Sequence, residues 1–442
     1  KLRFMNVTEI ENKKIILQVI PAMEMGGAEE GTLEISSYMK KKGWNVIVTS
    51  SGGSLVEKLN FRKIKHIKLP LNSKNPLIIF FNIFTLAWII KKYKVKIVHV
   101  RSRAPAWSAY YACSIFRGVK LVSTVHGAYN NQNIFKKIYN SIMLKSIKII
   151  AVSKYIKNYL LKNYKFTKKK KEKIVVIPRG VDQKKFNPQN VDSKRLFFLS
   201  KQWELPDGIP IILFPSRIAP FKGHKTLLKA IAILKKDPKI KFICLMVGLS
   251  KGNSNYETEI NSFIEENDLS DYIKFFGPCP DMPAAYKISD IVVSPADKPE
   301  GFGRIIIESQ SMNVPVIASA HGGSLELIKN NYNGLLFKPN NEHDLADKLK
   351  YLLCLSKEEK NKDLVQSVCT TALNLFRLLT IMLNPVVPNL CSRVYSFLNI
   401  EEPKWNQMSE LLLNHEILTY KPLLTRIEKE QIEQIKQKSK EF

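Results

Sequence analysis

The stretch DIVVSPADKPEGFGRIIIESQSMNVPVIAS, residues 290–319, contains a strand, a turn, a helix and a second strand in order. DIVVSP and VPVIAS are short apolar runs, whereas RIIIESQSM has helical spacing. Gly301 and Gly303 lie in the turn, where glycine lets a ligand approach the backbone closely. This order predicts a doubly wound α/β domain with a ligand site at the glycine turn.

The same pattern begins near the start of the chain and restarts in its middle. KKIILQVI (13–20) reads as a buried strand, and a Gly26-Gly27 turn, a helical pattern and NVIVTS (45–50) follow it. IPIILFPS (209–216) restarts the series after a basic, proline-containing segment. We predict two Rossmann-like domains facing a cleft and an α-helical C-terminal segment, at residues 1–175, 176–352 and 353–442.

Composition limits the class of protein. Of 442 residues, 45% are hydrophobic and 24% are charged, which is typical of a globular chain. The net charge of +30 favours nucleic acid, an anionic membrane or a phosphorylated substrate as partner. Abundant Lys, Asn and Ile would also follow from an AT-rich genome. Six scattered cysteines without zinc spacing indicate a reducing compartment and no structural metal.

The longest apolar run is LIIFFNIFTLAWII, residues 77–90. It is too short for a bilayer-spanning helix, which needs about 20 residues. A core helix is the favoured interpretation. An interfacial helix is the alternative, because Lys91 and Lys92 follow the run.

Four charged residues could carry chemistry in the cleft. Glu300 precedes the glycine turn and Glu308 lies in the following helix, so the two carboxylates can accept hydrogen bonds from hydroxyls at two depths of a polyhydroxylated ligand. Arg217 and Lys222 lie in a loop between a strand and a helix, where two cations would neutralise a diphosphate. The sequence lacks the phosphate-loop, HExxH and GxGxxG patterns of other classes.

These motifs together resemble the retaining glycosyltransferases of family 4, which have the GT-B fold. The similarity covers about residues 13–350. The segments that carry it are MEMGGAE (23–29), SRIAPFKG (216–223), FFGPCPDMPAAYKISDIVVSPA (275–296), PEGFGRIIIESQSMNVPVIASAHGGSLELI (299–328) and NGLLFKP (333–339).

The resemblance implies a role for each matched residue. Arg217 and Lys222 would hold the donor diphosphate and stabilise the leaving group. Glu300 would contact the transferred sugar, Glu308 the nucleotide ribose, and His126 would lie near the sugar at the catalytic centre. The further donor contacts expected are Gly26, Gly27, Pro280, Met282, Gly301, Phe302 and Gly303.

The resemblance also implies the substrates. We expect a UDP- or GDP-sugar donor, no metal or further cofactor, and a polyprenyl- or lipid-linked glycan acceptor of the cell envelope. Retention at the anomeric carbon is implied, and front-face displacement is favoured because no covalent nucleophile is evident. The expected location is cytoplasmic, with peripheral contact to an anionic inner membrane left open and no specific nucleic acid partner.

The tail resembles a different family. ALNLFRLLTIMLNPVVPNLCSRVYSFLNI (372–400), Trp405 and LLLNHEILTYKPLLTRIEKEQIE (411–433) are similar to the C-terminal helices of the anticodon-binding domain of methionyl-tRNA synthetase. The catalytic signatures of that synthetase are absent from the sequence, so no aminoacyl-tRNA ligase activity is expected. The alternative function is an inactive fusion or fragment with residual tRNA-binding character.

Overall fold

The structure is a computed structural model that describes residues 14–129, 131, 133–166, 171–249, 255–355, 360–413 and 415–418. The chain divides into two compact units between Leu353 and Cys354. The first unit contains two parallel β-sheets, and the second is helical in its described part.

The first sheet has seven parallel strands in the order β3-β2-β1-β4-β5-β6-β7. Its strands are β1 Ile15–Val19, β2 Asn45–Ser50, β3 Lys65–Lys68, β4 Ile97–Val100, β5 Lys120–Val125, β6 Lys148–Ala151 and β7 Ile174–Val176. The central strand β1 is buried along its whole length, and Leu17 lies opposite Ile47 of β2 and Val98 of β4. Burial on both faces explains the unbroken apolar run in the sequence.

In the part of the chain that the structure describes, six α-helices surround this sheet. They are α1 Gly27–Lys41, α2 Val56–Phe61, α3 Pro76–Lys92, α4 Arg103–Ser114, α5 Ile134–Ser141 and α6 Lys154–Asn163. Leu33 of α1 and Leu59 of α2 pack in one apolar cluster, whereas α3, α4 and α6 bury side chains in another. The chain order β3-β2-β1-β4 reverses direction at β1, which places a ligand crevice at the carboxyl ends of the central strands.

The second sheet has six parallel strands in the order β10-β9-β8-β11-β12-β13. Its strands are β8 Ile211–Pro215, β9 Ile243–Val247, β10 Ile273–Phe276, β11 Ile291–Ser294, β12 Val316–Ser319 and β13 Leu335–Phe337. Its helices are Ser193–Gln202, His224–Leu234, Asn255–Glu266, Met282–Lys287, Arg304–Ser311, Ser324–Leu327 and Glu342–Leu355. Two doubly wound parallel sheets confirm the predicted α/β fold class.

The apolar run 77–90 forms helix α3. Leu86, Ile89 and Ile90 are buried in the core of the first sheet. The opposite side exposes at least half of Leu77, Phe80, Phe81, Phe84 and Trp88. The expectation of a buried core helix is therefore wrong for this outward side. No helix among the described residues is long and apolar enough to cross a membrane.

The second unit contains the helices Lys360–Leu383 and Pro388–Phe397. Ile381, Cys391 and Tyr395 form a small apolar core between them. Arg377 donates to the backbone carbonyls of Gln407 and Glu410, at 2.9 and 2.7 Å. These contacts fold the segment after the second helix back onto the first.

We expect truncation after residue 355 to leave both sheets folded and nucleotide binding intact, because the thirteen strands of the described residues lie before that residue. The measurements are the melting temperature by circular dichroism and UDP binding by calorimetry, with the full chain as control. Lost nucleotide binding together with a sharply lower melting temperature would show that the C-terminal unit stabilises the sheets.

Candidate active site in the cleft

The glycine turn after β11 lies directly against the first domain. Ser153, at the carboxyl end of β6, donates its hydroxyl to the Gly301 carbonyl at 2.6 Å. A Cβ atom at Gly301 would lie 1.9 Å from the His126 carbonyl oxygen, so the position accepts only glycine without movement. The turn therefore brings together the two edges of the cleft at this point.

Phe302 fixes the same contact through its side chain. The ring is 7% exposed and belongs to the apolar core of the first domain, although the residue follows a strand of the second. Gly303 follows with a φ of +101°, which favours glycine, and it forms the N-cap of the helix Arg304–Ser311. The side chain of Phe302 thus packs between the domains. Only the backbone N–H and C=O groups of this residue are therefore available to a ligand.

Glu300 and Lys222 form an ion pair across the second-domain side of the cleft. Each side chain is about one-fifth exposed. Lys222 ends a short 3-10 helix, and the next residue, Gly223, has a φ of +82° and faces the Pro295 carbonyl. The sequence predicted a diphosphate ligand for Lys222 and a sugar ligand for Glu300. The structure brings the two groups together, each neutralising the other.

Arg217 lies near the same aromatic ring as Lys222. Its guanidinium carbon lies 5.5 Å from the Phe221 ring centroid, and the Lys222 ammonium lies 5.6 Å from the same centroid. Arg217 is exposed, whereas Lys222 is half-buried. Two cations held beside one ring form a fixed pair for an anionic group.

Glu308 lies deeper, inside the helix that follows the glycine turn. Tyr286 donates its hydroxyl to the carboxylate at 3.0 Å, and Arg304 donates from Nε at 3.2 Å. Burial raises the pKa of Glu308, and the charge of Arg304 opposes that rise. The carboxylate is thus held in one orientation by two donors from its own domain.

Arg304 also reaches the first domain. Its NH2 group donates to Glu34 of α1 at 2.9 Å, so one guanidinium joins Glu34 and Glu308. Burial lowers the pKa of Arg304, but the two carboxylates outweigh it and the net shift is upward. The Cδ atom of Arg304 lies 3.6 Å from the position a Cβ would take at Gly27, which places the predicted Gly26-Gly27 turn beside this bridge.

His126 occupies the first-domain side of the cleft. Its Nδ1 lies 2.9 Å from the Arg179 guanidinium. Burial lowers the pKa of His126 well below its ordinary value, and the charges of Arg179 and Arg101 lower it further. The imidazole is therefore neutral near pH 7, and Nδ1 acts as the acceptor of the Arg179 bond.

Two arginines make this side of the cleft cationic. Arg101 follows β4 and is buried, donating from Nε to Gln18 at 3.2 Å. Burial lowers the pKa of Arg101 to about 9 and that of Arg179 to about 10. Each guanidinium remains protonated at neutral pH, so the buried Arg101 and the half-buried Arg179 place two positive charges near His126.

Pro280 and Met282 lie in the loop after β10. Asp281 between them caps the helix Met282–Lys287 by accepting from the Ala284 N–H at 3.2 Å. Arg195 donates to the same carboxylate at 2.8 Å. Pro280 is exposed and Met282 is half-buried. The loop is thus anchored, and the predicted base contact stays a prediction.

Sequence reasoning missed several groups that shape the cleft, namely Glu34, Arg101, Ser153, Arg179 and Arg304. Arg304 carried a readable signal, because it lies four residues before Glu308 on a predicted helix. The others had none, since their positions depend on distant parts of the chain meeting. Within the described ranges, no group of three or more His, Cys, Asp or Glu side chains could hold a metal ion.

Comparisons with known proteins assign this architecture. Residues 25–185 match the family Glycosyltransferase Family 4, and residues 197–367 match Glycosyl transferases group 1. A crystal structure of a glycosyltransferase from Rickettsia africae is 44% identical, with a TM-score of 0.69 over 78% of this chain and 89% of that one. The chain belongs to the GT-B glycosyltransferases.

Two further proteins are similar to this glycosyltransferase at lower sequence identity. The structure of Anabaena HepE with UDP-glucose has a TM-score of 0.65 at 20% identity, covering 79% and 91% of the two chains, and shows the shared fold. D-inositol 3-phosphate glycosyltransferase of Thermomonospora curvata is 29% identical over 204 residues. That match covers 43% of this chain and 45% of the relative, so the chain spans under half of that protein's length.

One match has a different character. Methionine–tRNA ligase of Francisella tularensis is 38% identical over 88 residues. The match covers 20% of this glycosyltransferase and 13% of the ligase. A relation this short shows a shared segment and leaves the origin of the tail a prediction.

We expect Gly301→Ala to separate turnover from nucleotide binding. The added Cβ would collide with the His126 backbone, so the turn or the domains must move, and displacement of reacting groups by about 1 Å costs about a hundredfold in rate. Arg217, Lys222 and Glu308 stay on one domain, so nucleotide affinity should change little.

The matched control is Gly277→Ala, because a Cβ there meets no atom within 4 Å. Steady-state donor hydrolysis and UDP calorimetry provide the two readings. Equal turnover of Gly301→Ala and Gly277→Ala would contradict the importance of the contact with His126.

Proposed function

We propose that this glycosyltransferase moves a sugar from a nucleoside diphosphate sugar to an acceptor bound on the first-domain side of the cleft. The observation that carries the proposal is the pair of cations, Arg217 and Lys222, beside Phe221 and next to Glu300. Such a pair matches the charge of a diphosphate, and the neighbouring carboxylate matches the hydroxyls of a sugar.

The chemistry follows from the charges. Cleavage of the glycosyl–diphosphate bond develops negative charge on the diphosphate, which Arg217 and Lys222 stabilise. Lys222 must leave Glu300 or share it when the diphosphate arrives, and the released carboxylate then accepts hydrogen bonds from the sugar. Glu308, held by Tyr286 and Arg304, has the fixed orientation that a pair of ribose hydroxyls requires.

We propose retention at the anomeric carbon by front-face displacement. The departing phosphate oxygen accepts the acceptor proton while the acceptor oxygen attacks from the same face. His126 is neutral and its Nδ1 is occupied by Arg179, so a role in holding the sugar suits it better than general base catalysis. The resemblance supports a reaction that needs no metal and no further cofactor.

We propose a lipid-linked glycan of the cell envelope as acceptor and UDP- or GDP-sugar as donor. The donor class is supported by the name of HepE's ligand, UDP-glucose, in a protein of the same fold. The T. curvata relative is named D-inositol 3-phosphate glycosyltransferase, and that name supports a negatively charged acceptor as a further possibility to test. Arg101 and Arg179 would suit an acceptor that carries negative charge.

A second candidate rests on the match to methionine–tRNA ligase, namely an inactive fusion with residual tRNA binding. A glycosyltransferase is expected to turn over a sugar donor, whereas an inactive fusion is not. Release of nucleoside diphosphate from a panel of UDP- and GDP-sugars separates them, and we expect no aminoacylation of tRNA in parallel.

We expect Arg217→Ala to weaken UDP or GDP binding by about 1.5–3 kcal/mol, the usual value of a hydrogen bond to a charged group. Calorimetry measures the change, and Arg62→Ala is the control because that exposed guanidinium donates to Ser37 on the first domain. Unchanged affinity for both nucleotides would exclude the diphosphate role.

We expect Glu300→Gln to affect mainly turnover and Glu308→Gln to affect mainly nucleotide binding. Glu300→Gln frees Lys222 for the diphosphate, so nucleotide affinity should hold or rise while turnover falls. Glu308→Gln should mainly weaken nucleotide binding, because its carboxylate faces the ribose in the proposed arrangement. Calorimetry and turnover of both variants test this, and the reverse pattern would exchange the two roles.

A further inference from the structure

Helices α3, α4 and α5 cover one face of the first sheet. They connect the parallel strands β3 to β4, β4 to β5 and β5 to β6, which all advance in one direction along the sheet, and right-handed crossovers in one direction place such helices on the same side. The contacts agree, because Ser108 of α4 donates to the Ile79 carbonyl of α3 at 2.7 Å. Trp107 of α4 donates to the Tyr139 carbonyl of α5 at 3.2 Å.

The outward side of these three helices is apolar, and we call it the outer apolar face. Phe81 is 66% exposed and Phe135 is 79% exposed. Its members are Leu77, Phe80, Phe81, Phe84, Trp88, Tyr111, Ile115, Ile134, Phe135 and Ile138. Phe80 contacts Phe81 and Phe84 edge to face, at centroid distances of 6.0 and 5.2 Å, so the rings form a continuous cluster. Large exposed clusters of this kind mark interaction surfaces.

The three helices of this face carry only positively charged side chains among their Lys, Arg, Asp and Glu residues. Residues 58–171 contain 26 Lys and Arg and no Asp or Glu. Lys91 and Lys92 are exposed at the end of α3, and Lys136 and Lys137 are exposed on α5 among its apolar residues. The Lys92 ammonium lies 4.3 Å from the Trp88 ring centroid, which keeps a cation beside an exposed aromatic ring.

From this combination we infer that the outer apolar face docks on a bilayer that contains anionic lipid. Aromatic and aliphatic side chains would enter the headgroup boundary while the lysines contact lipid phosphates. A second copy of the chain fits poorly, because it would bring two cationic surfaces together. A bilayer with anionic lipid offers an apolar environment to the exposed aromatic and aliphatic side chains and negative charge to the lysines.

The position of the face relative to the cleft supports the same partner, and this step rests on the proposed function. Helices α3 and α5 begin at the carboxyl ends of the strands, which is the cleft side of the sheet. Leu77, Phe80 and Phe81 lie in the first turns of α3, and Ile134 and Phe135 begin α5. A lipid-linked acceptor anchored in that bilayer would therefore enter the cleft on the His126 side.

The test is flotation of the full chain with vesicles of phosphatidylglycerol and phosphatidylcholine, against phosphatidylcholine alone. We expect binding to the anionic vesicles only, weakened by salt because screening shortens electrostatic range to about 10 Å at 0.1 M. The variant Phe80→Ser/Phe81→Ser/Phe84→Ser should bind on the order of tenfold more weakly. The matched control is Phe197→Ser/Phe198→Ser, two rings equally exposed on the second domain.

A charge variant tests the lysines separately. Replacing Lys91, Lys92, Lys136 and Lys137 by Gln should reduce binding to anionic vesicles and flatten its salt dependence. The control of equal net charge replaces Lys194, Lys201, Lys236 and Lys241, which are exposed on the second domain. Equal loss in both charge variants would show a nonspecific attraction and overturn the assignment.

Two other results would overturn the proposal. One is loss of flotation in Leu375→Ser/Leu379→Ser, which changes exposed side chains of the C-terminal unit, with the phenylalanine variant unaffected. The other is a dimer by light scattering that the phenylalanine variant abolishes. UDP calorimetry on every variant keeps the outcomes separate, because failure of nucleotide binding in the wild type would reject the proposed function and leave the flotation result standing.

Discussion

The close approach of the Gly301 and His126 backbones is the contact on which the cleft depends. It places the glycine turn of the second domain against the end of β5 in the first, with no room for a side chain. Phe302 then enters the first-domain core, and Gly303 turns the chain into the helix that carries Glu308. A residue that looks like a ligand contact in the sequence is therefore also the point at which the two domains meet.

Interactions between charged groups also connect the two domains near this contact. Arg304 joins Glu34 of the first domain to Glu308 of the second. Glu326 accepts from the N–H groups of Lys154 and Tyr155, which ties the second domain to the start of α6. Ion pairs of this kind weaken steeply when one partner moves away. Arg304 therefore connects α1 of the first domain to the helix that carries Glu308, while Tyr286 holds the same carboxylate from within the second domain.

The sequence was sufficient for the local parts of this arrangement. Apolar runs predict the strands and glycine pairs predict the turns, whereas two ligand depths for Glu300 and Glu308 stay a prediction. It was insufficient wherever partners lie far apart in the chain. Nothing local to Arg179 indicates that it will contact His126, and nothing local to Glu300 indicates that it will pair with Lys222. The exposed side of α3 was ambiguous for a related reason. The apolar sequence of a helix does not reveal how many of its sides pack against other parts of the protein.

The absence of acidic residues from 58–171 affects both the interior and the surface of the first domain. Arg101 and Arg179 lie near the cleft, and the carboxylates that act on them, Glu29 and Glu34, come from α1, before this stretch begins. Burial raises the pKa of Glu29 while Arg217 and Arg179 oppose that rise, so α1 supplies negative charge to cations of both domains. Between residues 58 and 171 the charged Lys, Arg, Asp and Glu side chains are all positive, both beside the cleft at Arg101 and on the outer apolar face at Lys91 and Lys92. Under the proposed docking, the same positive charge that attracts an anionic bilayer would also attract an anionic acceptor to the cleft.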